Sequence, residues 1–159
     1  EGPENIKNLQ NEIELIISKE INKSFKETKK GNKSRSNFAL TPEEAVLSKK
    51  FSLNRGKLPW PTERGIVSST FGKHRHQVLK HVKIQNNGID ILTAKGSKAR
   101  AIFSGRVTTV MSIPHYNNVV IIRHGEYLSV YSNLKDVFVK KGQKINTKQN
   151  IGTVYTNIE

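Results

Sequence analysis

The chain has 159 residues, a formal net charge of +14 and no cysteine. That length suits one modest domain plus an extension, and the missing thiols exclude disulfides and thiolate metal sites. No apolar run reaches the eighteen or more residues that a spanning helix needs, so no transmembrane segment is expected; the start "EGPENIK" is not a natural one and leaves room for an export signal already removed.

The charge is unevenly placed. Residues 1–37 carry eight Lys/Arg against six Glu, and residues 57–159 carry sixteen Lys/Arg against five acids. A cationic domain attracts polyanions and acidic partners. Aromatic residues are sparse and no nucleic-acid motif appears, so nucleic acid is not the expected partner. Anionic wall polymer, an acidic protein, or simply a solvated lysine-rich surface each account for the charge.

In chain order, Ile6, Leu9, Ile13, Ile16, Ile17 and Ile21 recur at helical spacing. Residues 1–25 therefore read as an amphipathic helix, either the end of a coiled coil or a lone helix docked on its own domain. "KETKKGNKSRSNF" (26–38) is basic and polar with almost nothing to bury, which predicts a flexible linker over 26–39. In "LTPEEAVLSKKF" (40–51), Thr41 can cap, Pro42 suits the first helical position, and Glu44 can close a capping box. Val46, Leu47 and Phe51 would give this short helix an apolar face. That face either packs permanently on the domain or belongs to a detachable regulatory segment covering a groove; with its connector the segment runs over 40–56.

From "GKLPWPTERG" onward the period changes. Pro59 and Pro61 hold Trp60 extended. "GIVSSTFG", "NNGIDIL", "ARAIFSGRVTTVM", "NNVVIIRHG", "EYLSVYSNL", "DVFVKKGQKI" and "NIGTVY" are short β-branched runs separated by Gly, Asn and Lys-Gly turns. At least six strands without intervening helices predict a mainly β domain over 57–159, an antiparallel β barrel-sandwich. Lipoyl-type carriers share such a pattern, but no lysine here sits in their modified turn.

Five histidines are present: His74, His76, His81, His115 and His124. "KHRH" could present two imidazoles to zinc if extended, but no third ligand stands in a credible position, so an exposed loop pair is the simpler reading. His124, at a strand end, reads more simply as a hydrogen-bonded turn residue than as a ligand.

The order "SSTFGKHRHQVL…NNGIDILTAKGSKARAIFSGRVTTV…NNVVIIRHGEYLSVYSNL…VFVKKGQKI…QNIGTVY" resembles the LytM-like, lysostaphin-type zinc endopeptidase domain from about Leu58 to Tyr155. The resemblance implies that the segment matching "NNGID" would read His-x-Gly-x-Asp in catalytic members, with the His and Asp binding zinc. Asn86 stands at the histidine position and Asp90 remains. The segment matching "YSNL" would read Tyr-x-His-Leu, and Asn133 stands at its histidine. The family's final His-x-His would follow "IGTVYTNIE", its C-terminal strand not being reached. An amide oxygen is a poor zinc donor, and without zinc the attacking water keeps its high pKa. Asparagine also cannot cycle a proton near neutrality as histidine does. The resemblance therefore implies a degenerate peptidase homologue with no catalytic residue, no bound metal and no cofactor.

Within that family the match is closest to EnvC-like murein hydrolase activators. The entry "TPEEAVLSKKFSLNRGKLPWP" and the preceding helical zone support this subgroup. It implies a periplasmic protein whose domain binds a zinc-dependent N-acetylmuramoyl-L-alanine amidase, drawing an inhibitory helix from its active site so that it cleaves peptidoglycan at division. The coiled coil would engage a division-associated transporter-like complex. Asn86, Asp90 and Asn133 would line the floor of the partner groove, with Tyr131 and His124 near its walls. A peptidoglycan-binding module without an amidase partner, and an active zinc endopeptidase with unusual ligands, are the alternatives.

Overall fold

The computed structural model describes residues 40–75, 81, 83–113 and 117–156, with Leu15 and Lys19 as isolated helical positions. The expected helix over 1–25 otherwise lies outside the described residues, as do the linker over 26–39, His76 and His115. His81 is exposed in a turn.

Helix α1 spans Pro42–Leu53. Thr41 Oγ1 accepts from the Glu44 amide at 3.2 Å and Glu44 Oε2 accepts from the Thr41 amide at 3.4 Å, so the predicted capping box closes. At the other end the Asn54 amide returns to the carbonyls of Phe51 and Ser52. Replacing Thr41 by alanine removes one arm of the box. It is expected to cost about 1 kcal/mol, and a thermal melt followed by circular dichroism should fall by about 4–8 °C for a domain of this size.

Among the described residues ten strands follow: β1 Ile66–Ser69, β2 Gly72–Arg75, β3 Lys83–Asn86, β4 Asp90–Leu92, β5 Lys98–Arg100, β6 Gly105–Ile113, β7 Asn117–His124, β8 Tyr127–Val137, β9 Lys144–Ile145 and β10 Asn150–Val154. Six form one sheet in the order β5-β10-β8-β7-β6-β9, while β1–β4 and β2–β3 are two-stranded. Every pairing is antiparallel. The mainly β, antiparallel reading of the sequence therefore holds.

The sheet forms around β7, whose "VVII" run is buried on both faces. Val120 and Ile122 join Val107, Tyr131, Leu134, Ile145 and Ile151 in one core. Val119 and Ile121 point the other way and pack with Ile113, Met111 and Leu128. An unbroken apolar run is what a strand covered on both faces requires. β7 turns into β8 through Gly125 and Glu126, with His124 opposite Tyr127. Gly125 has φ +75°, the left-handed backbone that two-residue hairpin loops need.

α1 docks on the end of this hairpin. Phe51 stacks on His124 at 5.0 Å and on Tyr127 at 4.8 Å, and meets Phe103 edge-on at 5.6 Å. Ser48 is buried beside Gly125, and Glu44 reaches Arg123 at 3.5 Å. The docked face is thus Glu44, Ser48 and Phe51, successive positions on one helical stripe. Leu47 is half-buried, but Val46 is 55% exposed. The apolar face expected to include Val46 is corrected accordingly. The glycine loop beneath the helix admits a small polar residue, and Val46 lies off that stripe.

Candidate functional site

Asn86 ends β3 and is buried at 5% exposure. Its Oδ1 accepts from the Gly88 amide at 3.1 Å, and its Nδ2 donates to Ser69 Oγ at 3.2 Å. The first bond is an Asx turn, in which the side chain stands in for a backbone carbonyl and reverses the chain. The second ties the corner to the end of β1. Both atoms of the amide are therefore engaged in holding the β3–β4 corner.

Asp90 opens β4 opposite Ser69, and its carbonyl accepts from Ser68 Oγ at 3.3 Å. Leu92, two residues on, shares its face of the strand and pairs with Ile66. Ile66 and Leu92 are 66% and 61% exposed. An apolar cross-strand pair consequently adjoins the Asp90 position in open solvent.

Asn133 lies where the β8 register shifts against β7 and has φ +62°. Left-handed backbone is tolerated by asparagine, aspartate and histidine far better than by branched residues. Its Oδ1 accepts from Asn117 Nδ2 at 2.9 Å, and its backbone carbonyl accepts from the Tyr155 amide at 3.0 Å. Asn86 and Asn133 each hold a local backbone feature, with different partners.

Tyr131 and His124 do not face solvent, at 7% and 0% exposure. They belong to a chain of polar groups inside the sheet. His124 Nδ1 lies 2.7 Å from the Ser104 carbonyl and Nε2 lies 2.7 Å from Ser129 Oγ. Ser129 Oγ is 2.9 Å from Tyr131 Oη, which accepts from the Ile102 amide at 3.0 Å. A carbonyl can only accept, so Nδ1 carries the proton. Nε2 meets the Ser129 hydroxyl, and Ser129 Oγ donates to Tyr131 Oη. Every member has a hydrogen-bond partner, and a fully bonded buried network is rigid. Ser129 and Tyr131 alternate on one strand, a period-two signal in the sequence. Their connection to Ser104 and Ile102 depends on tertiary pairing and left no sequence trace.

Burial holds the His124 imidazole below its ordinary 6.5, partly offset by the Ser104 carbonyl. Burial likewise pushes the Tyr131 phenol above its ordinary 10.0, against the bonds from Ile102 and Ser129. Below about pH 6.5 the unfolded chain binds a histidine proton that the folded chain refuses, so stability falls as the pH drops through that value. Above about pH 10 the unfolded tyrosine releases a proton that folded Tyr131 keeps, so stability falls again. Denaturation midpoints should be level from about pH 7 to 9 and lower at about pH 5.5, where carboxylates remain ionised. A midpoint at pH 5.5 equal to that at pH 8 would contradict the assignment of a neutral His124.

Among the described residues no cluster of three or more His, Asp or Glu side chains converges as a metal site. Nor is any described helix long and apolar enough to cross a membrane.

Residues 84–159 match the model of peptidase family M23. Over 104 residues the chain is 35% identical to the peptidoglycan DD-endopeptidase ShyA of Vibrio cholerae, covering 64% of this chain and 24% of that protein. Among solved structures, Helicobacter pylori Csd3 aligns at a TM-score of 0.53 and 30% identity, covering 60% of this chain and 27% of that one. A zinc-containing peptidase from Vibrio cholerae aligns at 0.53 and 30%, covering 59% and 30%. The chain thus spans about a quarter of the length of the curated relatives it matches. Family model, relatives and structural neighbours point the same way: residues 84–159 match peptidase family M23, the LytM type, and the antiparallel β fold is that of its solved neighbours.

Proposed function

We propose that this M23 domain is non-catalytic and acts, in the periplasm, as a murein hydrolase activator. It binds a zinc-dependent N-acetylmuramoyl-L-alanine amidase and switches on its cleavage of peptidoglycan at division. The observation that carries this reading is the Asn86 amide, whose oxygen and nitrogen are both committed to the β3–β4 corner. These residues do not fit the zinc ion of the catalytic family members. The histidine position offers a neutral amide already bonded on both atoms, and Asn133 offers another, where zinc prefers imidazole and carboxylate donors.

The exposed Ile66–Leu92 pair on the Asp90 face supplies the apolar contact that an amphipathic partner helix needs. The amidase helix docks there, with Asn86, Asp90 and Asn133 forming the polar floor. The segment over residues 1–25 is the part that would engage the division-associated transporter-like complex.

The test mixes the chain with its cognate amidase and dye-labelled sacculi. The expected result is release well above that of amidase alone, lost by Ile66→Glu/Leu92→Glu and unaffected by Val46→Ser. Release no greater than amidase alone ends the activator reading.

A second reading has its own support: ShyA and ShyB are named peptidoglycan DD-endopeptidases. An endopeptidase would cut muropeptides without any amidase, would be blocked by a chelator, and would purify with one zinc per chain. The activator does none of these.

A further inference from the structure

Arg106 on β6 stands directly opposite Arg123 on β7 and Lys144 on β9. Directly paired residues of an antiparallel sheet project to the same side, so three cations lie abreast on one face of three strands. Like charges placed opposite each other repel and weaken a sheet. Glu44 meets Arg123; among the described residues, no ion pair to Arg106 or Lys144 is formed, and both are exposed. The three line a cleft of about 900 Å³ between the first turns of α1 and strands β6 and β9. Lys141 adds a fourth cation, and Glu43 and Glu44 stand on the helical wall. The segment that leads into this wall, residues 26–39, carries five Lys/Arg against one Glu.

We propose that this cleft binds the carboxylates of peptidoglycan peptides and so holds the domain on the wall, at a second site separate from the partner groove. The source of the ligand rests on the wall-acting reading above; its chemistry rests on the lining. Arg106 and Lys144 offer adjacent cations to a carboxylate, with the Arg fork suited to bidentate contact. Glu43 on the opposite wall, beside a Glu44 already engaged by Arg123 and the helix cap, matches a ligand that carries ammonium as well as carboxylate, and repels a uniform polyanion. No aromatic residue lines the cleft, so nothing there stacks a nucleobase. A repulsive ladder retained in a folded sheet is explained if an anion neutralises it in use.

The test titrates the full chain with soluble disaccharide-peptide fragments of peptidoglycan by calorimetry at low salt. Fragments with amidated carboxylates, poly-glutamate and duplex DNA serve as comparators. Arg106→Gln/Lys144→Gln and the amidated fragments are each expected to weaken binding at least tenfold. The double variant should melt no lower than the parent, because a repulsion has been removed. Unchanged binding by the double variant, equal binding of amidated fragments, or tighter binding of poly-glutamate or DNA overturns the proposal. Loss of amidase activation with fragment binding intact defeats the activator reading alone, and the converse defeats the cleft alone.

Discussion

Gly125→Ala is expected to strip helix α1 from the sheet. A Cβ at this position would lie 2.4 Å from Ser48 Cβ and 2.5 Å from the Glu44 carbonyl oxygen, with φ at +75°. Left-handed backbone costs alanine about 1–2 kcal/mol, and forcing a helix away from a packed contact costs about 1–3 kcal/mol more. The sum, about 3 kcal/mol, corresponds to a fall of 12 °C or more by the scaling for domains of about 100 residues. Limited trypsinolysis gives a second readout, since Lys49, Lys50 and Arg55 lie on or just beyond the docked helix. They should be cut faster in the variant. Adding Ser48→Gly removes one clash but not the backbone strain, so it should restore only part of the loss. A single variant melting within about 1 °C of the parent would show that the helix is not held against this turn.

That contact also marks where the sequence stopped being informative. The "TPEE" cap named the start of α1 from four adjacent residues, because capping is local chemistry. The "VVII" and "SGRVTTVM" runs named β7 and β6, because a strand buried on both faces or paired along its length must read as apolar and β-branched. The docked side of α1 was not legible. Ser48 is buried because the hairpin offers a glycine there, and Phe51 is held by an imidazole ring 73 residues later in the chain. No periodicity within the helix encodes either partner. His124 itself was legible as a hydrogen-bonded turn residue, yet the groove wall assigned to it and to Tyr131 from family likeness is instead a buried polar chain. The family resemblance set Asn86 and Asn133 at histidine positions. The work each amide does, closing an Asx turn and holding a left-handed bulge, appears only once β3 and β8 have their neighbours.

If Asn86 is retained for its turn, returning histidine to this position should destabilise the chain. Asn86→Leu loses the acceptor for Gly88 and the donor to Ser69 while keeping similar bulk. Each hydrogen bond contributes about 1 kcal/mol, so the expected cost is about 2 kcal/mol. Asn86→His can still accept from Gly88 through Nδ1, but no donor then reaches Ser69, so the expected cost is about 1 kcal/mol. Zinc discriminates the two meanings of the site more sharply. An ion present at 100 times its dissociation constant would stabilise the fold by about 2.7 kcal/mol, a rise of about 10 °C or more. The parent chain should show a shift of less than about 1 °C in zinc at that excess over the affinity of a catalytic site. A large zinc-dependent rise in the parent, or an Asn86→His variant as stable as the parent without zinc, would mean that the position still serves the ion. The expected pattern, no response to zinc and a penalty for an imidazole, means that residue 86 serves the β3–β4 corner and not an ion.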